Sequence, residues 1–186
     1  PSLYEMTISY VMEKLPEPSD YSAIQLVLEL QARVPSLPDG SNILHFASKK
    51  RKVDLMRVAI KSRRFDVNAV NKGFTALHCV CIGSENPEMA VDAAKLLVES
   101  GASIDALDSI NLAPLYYAVK TSNFELVEYL LSVGAQTELQ DSTLEFAMSR
   151  CNDSRIVKAL AENNPRLLGT VKGFLHFASI KRMVDL

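Results

Sequence analysis

The chain encodes an all-α solenoid, a row of short antiparallel helix pairs with a turn protruding between successive pairs. Three observations lead there. Leu44, Leu77, Leu115, Leu144 and Leu175 recur in related settings at spacings of 33, 38, 29 and 31 residues, and self-similarity at such a period marks a repeat architecture. Phe124, Leu126, Val127, Leu130 and Leu131 recur at helical spacing and form one apolar stripe. No unit contains a five-residue β-branched run bounded by turn signals, which disfavours an alternating βαβ sheet. A single helix pair cannot bury its own apolar face, so the units must stack into a shared core.

Taken in order, residues 1–38 are the least regular. Leu3, Met6, Tyr10 and Val11 have helical spacing, Pro16-Glu17-Pro18 interrupts it, and Ile24, Leu26, Val27, Leu28 and Leu30 restart it. We expect a divergent helix pair capping the array; an element of an upstream domain is the alternative. Repeats then span about 39–72, 73–109, 110–140, 141–169 and 170–186, the last truncated. Gly101-Ala102 and Gly134-Ala135 lie 33 residues apart and follow apolar stripes, where a left-handed helix cap would sit. Ala118 and Ala147 are small where two helices must approach closely. Repeat 1 has Arg63-Arg64-Phe65 in place of Gly-Ala, and in repeat 4 Gln140-Asp141-Ser142 is too short for a full finger. Repeat 2 carries five extra residues around 83–88. There Asn86 reads as an N-cap, Pro87 as a first-turn proline and Glu88 as a dipole-matching acid. Because repeat 5 ends at Leu186, before its second helix is complete, we expect the chain to be cut from a longer protein.

The Leu-centred segments read Asn42-Ile43-Leu44-His45-Phe46-Ala47, Thr75-Ala76-Leu77-His78-Cys79-Val80, Ala113-Pro114-Leu115-Tyr116-Tyr117-Ala118, Ser142-Thr143-Leu144-Glu145-Phe146-Ala147 and Gly173-Phe174-Leu175-His176-Phe177-Ala178. They resemble the Thr-Pro-Leu-His-x-Ala signature of the ankyrin repeat family, over about residues 39–186. The resemblance implies a protein-recognition scaffold that binds partners on its turn tips and inner helices. It also implies that His45, His78 and His176 orient the turns by bonding backbone. One feature lies outside the family pattern: residues 44–55 match residues 175–186 at ten of twelve positions, including a Ser and a Lys-Arg pair. Shared ancestry of the repeats accounts for it; a duplicated four-unit block, or two positions touching the same kind of ligand group, is the sharper reading.

Hydrophobic residues at 48% and charged residues at 23% exclude a disordered chain. No apolar run reaches the roughly 20 residues of a membrane-spanning helix. Three Cys disfavour a disulfide framework, so we expect an intracellular protein, in the cytoplasm first and with the nucleus as the alternative. The charge is banded: net −3 over 1–38, +6 over 39–72, −9 over 73–145 and +4 over 146–186. An elongated molecule displays such bands as stripes.

The chemistry argues against an enzyme, a cofactor or a metal. The three His fall one per unit. His78-Cys79-x-Cys81 alternates across a helix and reads as core. Cys151 is single, with nothing to depress its pKa. The carboxylates of 85–145 read as a solvated face, and neither a phosphate loop nor a nucleophile elbow is present. Lys49-Lys50-Arg51-Lys52-Val53 resembles a nuclear-import signal, against a plainer reading as a solvated loop. Nucleic acid is disfavoured because the −9 band repels phosphate.

A partner protein remains, with a regulatory segment of a larger enzyme or channel as the alternative. Spacing from each anchor Leu puts Ser41, Phe74, Ser109, Ile110 and Leu112 at the tips. It puts Lys49, Lys50, Ile82, Lys120, Thr121, Ser149, Arg150 and Lys181 at the inner helix ends. Phe74, Ile110 and Leu112 are apolar where exposure is expected, and could instead pack against the next finger. The charged positions are all basic. We expect a groove that prefers an acidic or phosphorylated segment, ringed by acid on the outer helices.

Overall fold

A computed structural model describes residues 42–83, 86–137 and 153–163, together with Tyr10, Thr143, Ala147 and Arg150. Apart from Tyr10, the N-terminal cap expected over 1–38 lies outside the described residues, as do repeat 5, Ser41, Cys151, Ser149, His176 and Lys181.

Helices come in pairs: α1 (Ile43–Lys50) with α2 (Val53–Lys61), α3 (Ala76–Ile82) with α4 (Ala90–Glu99), and α5 (Pro114–Lys120) with α6 (Phe124–Ser132). A further helix, α7 (Ser154–Glu162), follows. No strand occurs among the described residues; one isolated bridge joins Asn71 and Phe74. The inner helices α1, α3 and α5 pack side by side, and the outer helices α2, α4, α6 and α7 form a second row. The anchor residues Leu44 and Leu77 are fully buried, Leu115 nearly so, and all three belong to one core running through the units. Leu126, Val127 and Leu130 fill its outer half, as the helical stripe requires.

The helix ends explain why each pair stops where it does. Asn42, Thr75 and Asn123 are N-caps whose side-chain oxygens accept from the backbone N–H three residues on. After α4, Gly101 adopts φ +90° while Gly101 N–H donates to the Val98 carbonyl and Ala102 N–H to that of Leu97. Gly134 repeats this geometry after α6. Both are the left-handed cap that the Gly-Ala pairs announce.

The same motif closes α1, but with an arginine. Arg51 has φ +52°, and Arg51 and Lys52 N–H donate to the Ser48 and Ala47 carbonyls. A side chain is rarely tolerated in that conformation. Here the guanidinium turns inward, only 2% exposed, and donates from Nε and Nη2 to the Val80 carbonyl on α3 (3.1 and 3.0 Å). Lys52 is buried as well. The reading of residues 49–53 as a solvated loop is therefore corrected. Lys49 is exposed and Lys50 half-exposed, while Arg51, Lys52 and Val53 are buried, Arg51 against the next unit.

The insertion in repeat 2 also differs from its sequence reading. Pro87–Met89 forms a 3-10 turn that leads into an intact α4. Asn86 does not cap it: the residue is left-handed, and its side-chain amide donates back to the Lys50 carbonyl at 2.9 Å. The inserted loop is thus pinned to the end of α1.

Candidate protein-binding surface

The fingers are shaped by local turn chemistry. In the first, Lys72 and Gly73 both have positive φ, and Asn71 and Phe74 exchange backbone hydrogen bonds at 2.9 Å. Glycine suits that conformation. In the second, Asp108 organises a wider turn, its Oδ1 accepting from the N–H of Ile110 (2.8 Å) and Leu112 (2.9 Å). Tyr117 donates its hydroxyl to the other oxygen of Asp108 at 2.5 Å. Burial alone would raise the Asp108 pKa, but these donors together hold it below the usual carboxylate value. The same burial and the same partner push the Tyr117 phenol upward.

Histidines tie each finger to the preceding inner helix. His45 Nε2 lies 3.1 and 3.2 Å from the Ala69 and Phe74 carbonyls, and His78 Nε2 lies 3.1 Å from that of Leu112. This is the structural role the ankyrin signature implies. Because Thr75 N–H donates to Nδ1 of His78, the proton sits on Nε2 and the ring is neutral. Burial pushes its pKa below the ordinary 6.5. The unfolded chain therefore takes up this proton first on acidification, and the folded state loses stability as pH falls below about 6.5. We expect the His78 ring resonance in an NMR titration to turn over below that value; a midpoint above it would contradict the neutral assignment.

Three of the tip residues separate in space. Ile110 is 68% exposed. Phe74 is half-buried, with its ring edge-on to His78 and Tyr117 at 5.9 and 5.8 Å, and Leu112 packs against the core. The expectation of exposure thus holds for Ile110 and is corrected for Phe74 and Leu112, which close the seam between neighbouring units. Ser109 is exposed beside Gly73, where an added Cβ would lie 3.0 Å from Ser109. Sequence reasoning missed Val70 and Leu107, 62% and 48% exposed at matching places on the two fingers. Each directly precedes the polar residue that opens its turn, Asn71 or Asp108, and that shared place could have signalled them.

At the opposite edge, the inner helix ends meet. The Arg51 clamp joins α1 to α3, and α5 packs on α3 so that the Thr121 hydroxyl, which donates best to the Tyr117 carbonyl of its own helix (3.0 Å), also comes within 3.4 Å of the Cys81 carbonyl. That brings Lys49, Lys50, Ile82, Lys120 and Thr121 onto one edge. Lys49, Lys120, Thr121 and Arg150 are exposed; Ile82 is half-buried. Among the described residues, Lys49, Lys120 and Arg150 take part in no ion pair. The outer helices present Asp92, Glu99, Glu125 and Glu128 to solvent. Among the described residues no group of His, Cys, Asp and Glu could hold a metal. Burial raises the Cys81 thiol pKa, the reverse of an activated nucleophile. No described helix is long and apolar enough to cross a membrane.

Stacked helix pairs, projecting fingers and an open, variable edge define a repeat scaffold with a recognition surface. The chain belongs to the ankyrin repeat family: the model for ankyrin repeats (3 copies) matches residues 18–108, 44–141 and 84–169. It is similar to a putative ankyrin repeat protein of Acanthamoeba polyphaga mimivirus, 34% identical over 88 residues, 47% of this chain and 11% of that protein. It is similar to the human BCL-6 corepressor-like protein 1, 26% identical over 153 residues, 82% of this chain and 8% of that protein. A third relative is ankyrin repeat domain-containing protein 53 of Macaca fascicularis, 31% identical over 88 residues, 47% of this chain and 18% of that protein. The chain thus spans only about a tenth to a fifth of the length of these relatives. Ankyrin repeats are generally protein-interaction modules and generally non-catalytic.

Proposed function

We propose that this segment is a non-catalytic recognition module that holds an acidic or phosphorylated segment of a partner protein along its inner helix ends, with the fingertips contacting the partner at the opposite edge. The observation that carries this reading is the pair of exposed cations Lys49 and Lys120, without ion-pair partners among the described residues, at the ends of α1 and α5 on the edge where α1, α3 and α5 meet. Acid on α4 and α6 lies outside that pair, so a negative segment is drawn to the edge and repelled from the outer face. Val70, Leu107 and Ile110 offer aliphatic contact at the tips.

The test uses a fluorescein-labelled polyglutamate peptide and the double variant Lys49→Glu, Lys120→Glu. Exposed positions contribute little to folding, so the melting temperature should stay within a few degrees. Affinity should fall by roughly 10-fold or more, and binding to the unmodified chain should weaken as salt is raised. Equal affinity of variant and unmodified chain would reject the assignment.

A further inference from the structure

Five residues beyond its anchor leucine, each of three consecutive inner helices brings one side chain to the edge opposite the fingers: Lys49 on α1, Ile82 on α3 and Lys120 on α5. The two lysines are exposed and take part in no ion pair among the described residues. Ile82 is half-buried, packed against the core yet still open to solvent. The order along the edge is therefore cation, aliphatic, cation.

The step between these positions is set by helix packing. α3 lies between α1 and α5 and packs on both. Packed helix axes stand about 8–10 Å apart, depending on the side chains at the contact. Both contacts are close at this edge. A Cβ on Gly83 would overlap the Lys49 carbonyl oxygen, and the Thr121 hydroxyl comes within 3.4 Å of the Cys81 carbonyl. The step is thus about 9 Å. A bound segment that serves all three positions needs side chains on one face with the same period. Polyproline II has three residues per turn and rises 3.1 Å per residue, so a side chain returns to the same face about every 9.3 Å. A β-strand repeats about every 6.6 Å. An α-helix repeats every seven residues, about 10.5 Å, and is about 3 Å out of register after two steps.

We infer that the inner edge reads a polyproline II segment of the partner in which an acidic, an aliphatic and a second acidic residue stand three apart, acid-x-x-aliphatic-x-x-acid. The acids meet Lys49 and Lys120, and the aliphatic side chain covers Ile82. A basic segment would meet two like charges. A wholly acidic one would lay a carboxylate over Ile82 and desolvate it without a partner. The inference rests on the proposed inner-edge reading and adds to it a conformation and a spacing.

The experiment is fluorescence anisotropy with three fluorescein-labelled peptides of equal length. They are Glu-Pro-Pro-Leu-Pro-Pro-Glu, the same peptide with Ser in place of Leu, and Glu-Glu-Pro-Pro-Pro-Pro-Leu, which keeps composition and charge but loses the spacing. The first should bind the unmodified chain at least about 5-fold tighter than either of the others, the gain expected from covering part of one leucine side chain. Ile82→Thr should abolish the preference for Leu over Ser and leave polyglutamate affinity unchanged. Ile82→Val, which keeps an aliphatic surface, should retain the preference. Equal affinity of the three peptides, or a preference for Leu that survives Ile82→Thr, overturns the inference. If polyglutamate is weakened by Lys49→Glu, Lys120→Glu while the three peptides bind alike, the spacing fails and the inner-edge reading survives. If the spaced peptide binds that double variant as tightly as the unmodified chain, both fail.

Discussion

Leu77→Ala should remove about 3 kcal/mol of stability, within the range for truncating a fully buried leucine. Leu77 is 0% exposed at the start of α3, the inner helix that packs on both α1 and α5. Its loss empties space shared by two interfaces, and the helices around it cannot collapse inward without breaking the His78 tie to the Leu112 carbonyl. In a solenoid each unit draws its stability from its neighbours. The damage should therefore spread both ways, with amide protection falling in α1 and α5 alike. Leu112→Ala, at a half-buried seam position, should cost less than half as much. Chemical denaturation gives the size and hydrogen exchange gives the spread. Loss of protection confined to α3 and α4 would mean that the units fold independently, against the shared core.

The anchor leucines show how much was legible. Their spacing, the stripe at Phe124 to Leu131 and the Gly-Ala caps are local patterns, fixed by helix geometry within one unit. Such patterns suffice to place every inner and outer helix between residues 43 and 132. What was not legible depends on how two units approach. Arg51 reads as one charge among four in a basic run, and only the nearness of the Val80 carbonyl makes it a buried cap. Phe74 reads as an exposed tip because the pattern leaves it unassigned; the ring of Tyr117, one unit on, covers it. Asn86 before Pro87 has every local mark of an N-cap, but the competing acceptor, the Lys50 carbonyl, lies 36 residues away in sequence. Spacing from the anchor leucines was enough to put Lys49 and Lys120 at the inner helix ends, where both are exposed.

Gly83→Ala should destabilise the chain by about 1–3 kcal/mol, the ordinary cost of forcing a methyl group into filled space. Gly83 has φ −57°, which any residue adopts, so its backbone conformation is not the reason. The reason is distance. A Cβ built on Gly83 would overlap the Lys49 carbonyl oxygen, far inside van der Waals contact. That atom belongs to the backbone of α1 and cannot swing aside as a side chain would. Relief requires α1 and α3 to separate at their ends, where Arg51 reaches Val80 and Asn86 reaches Lys50. Both links should weaken together, and the basic run should open. Trypsin should then cut after Arg51 or Lys52 faster in the variant than in the unmodified chain. Gly101→Ala provides the contrast. Its φ of +90° strains any side chain, yet nothing lies within 4 Å of the added methyl. It should cost about 1 kcal/mol through conformation alone and leave cleavage at the basic run unchanged. If Gly83→Ala unfolds at the same denaturant concentration as the unmodified chain, the contact between α1 and α3 is looser than that overlap implies.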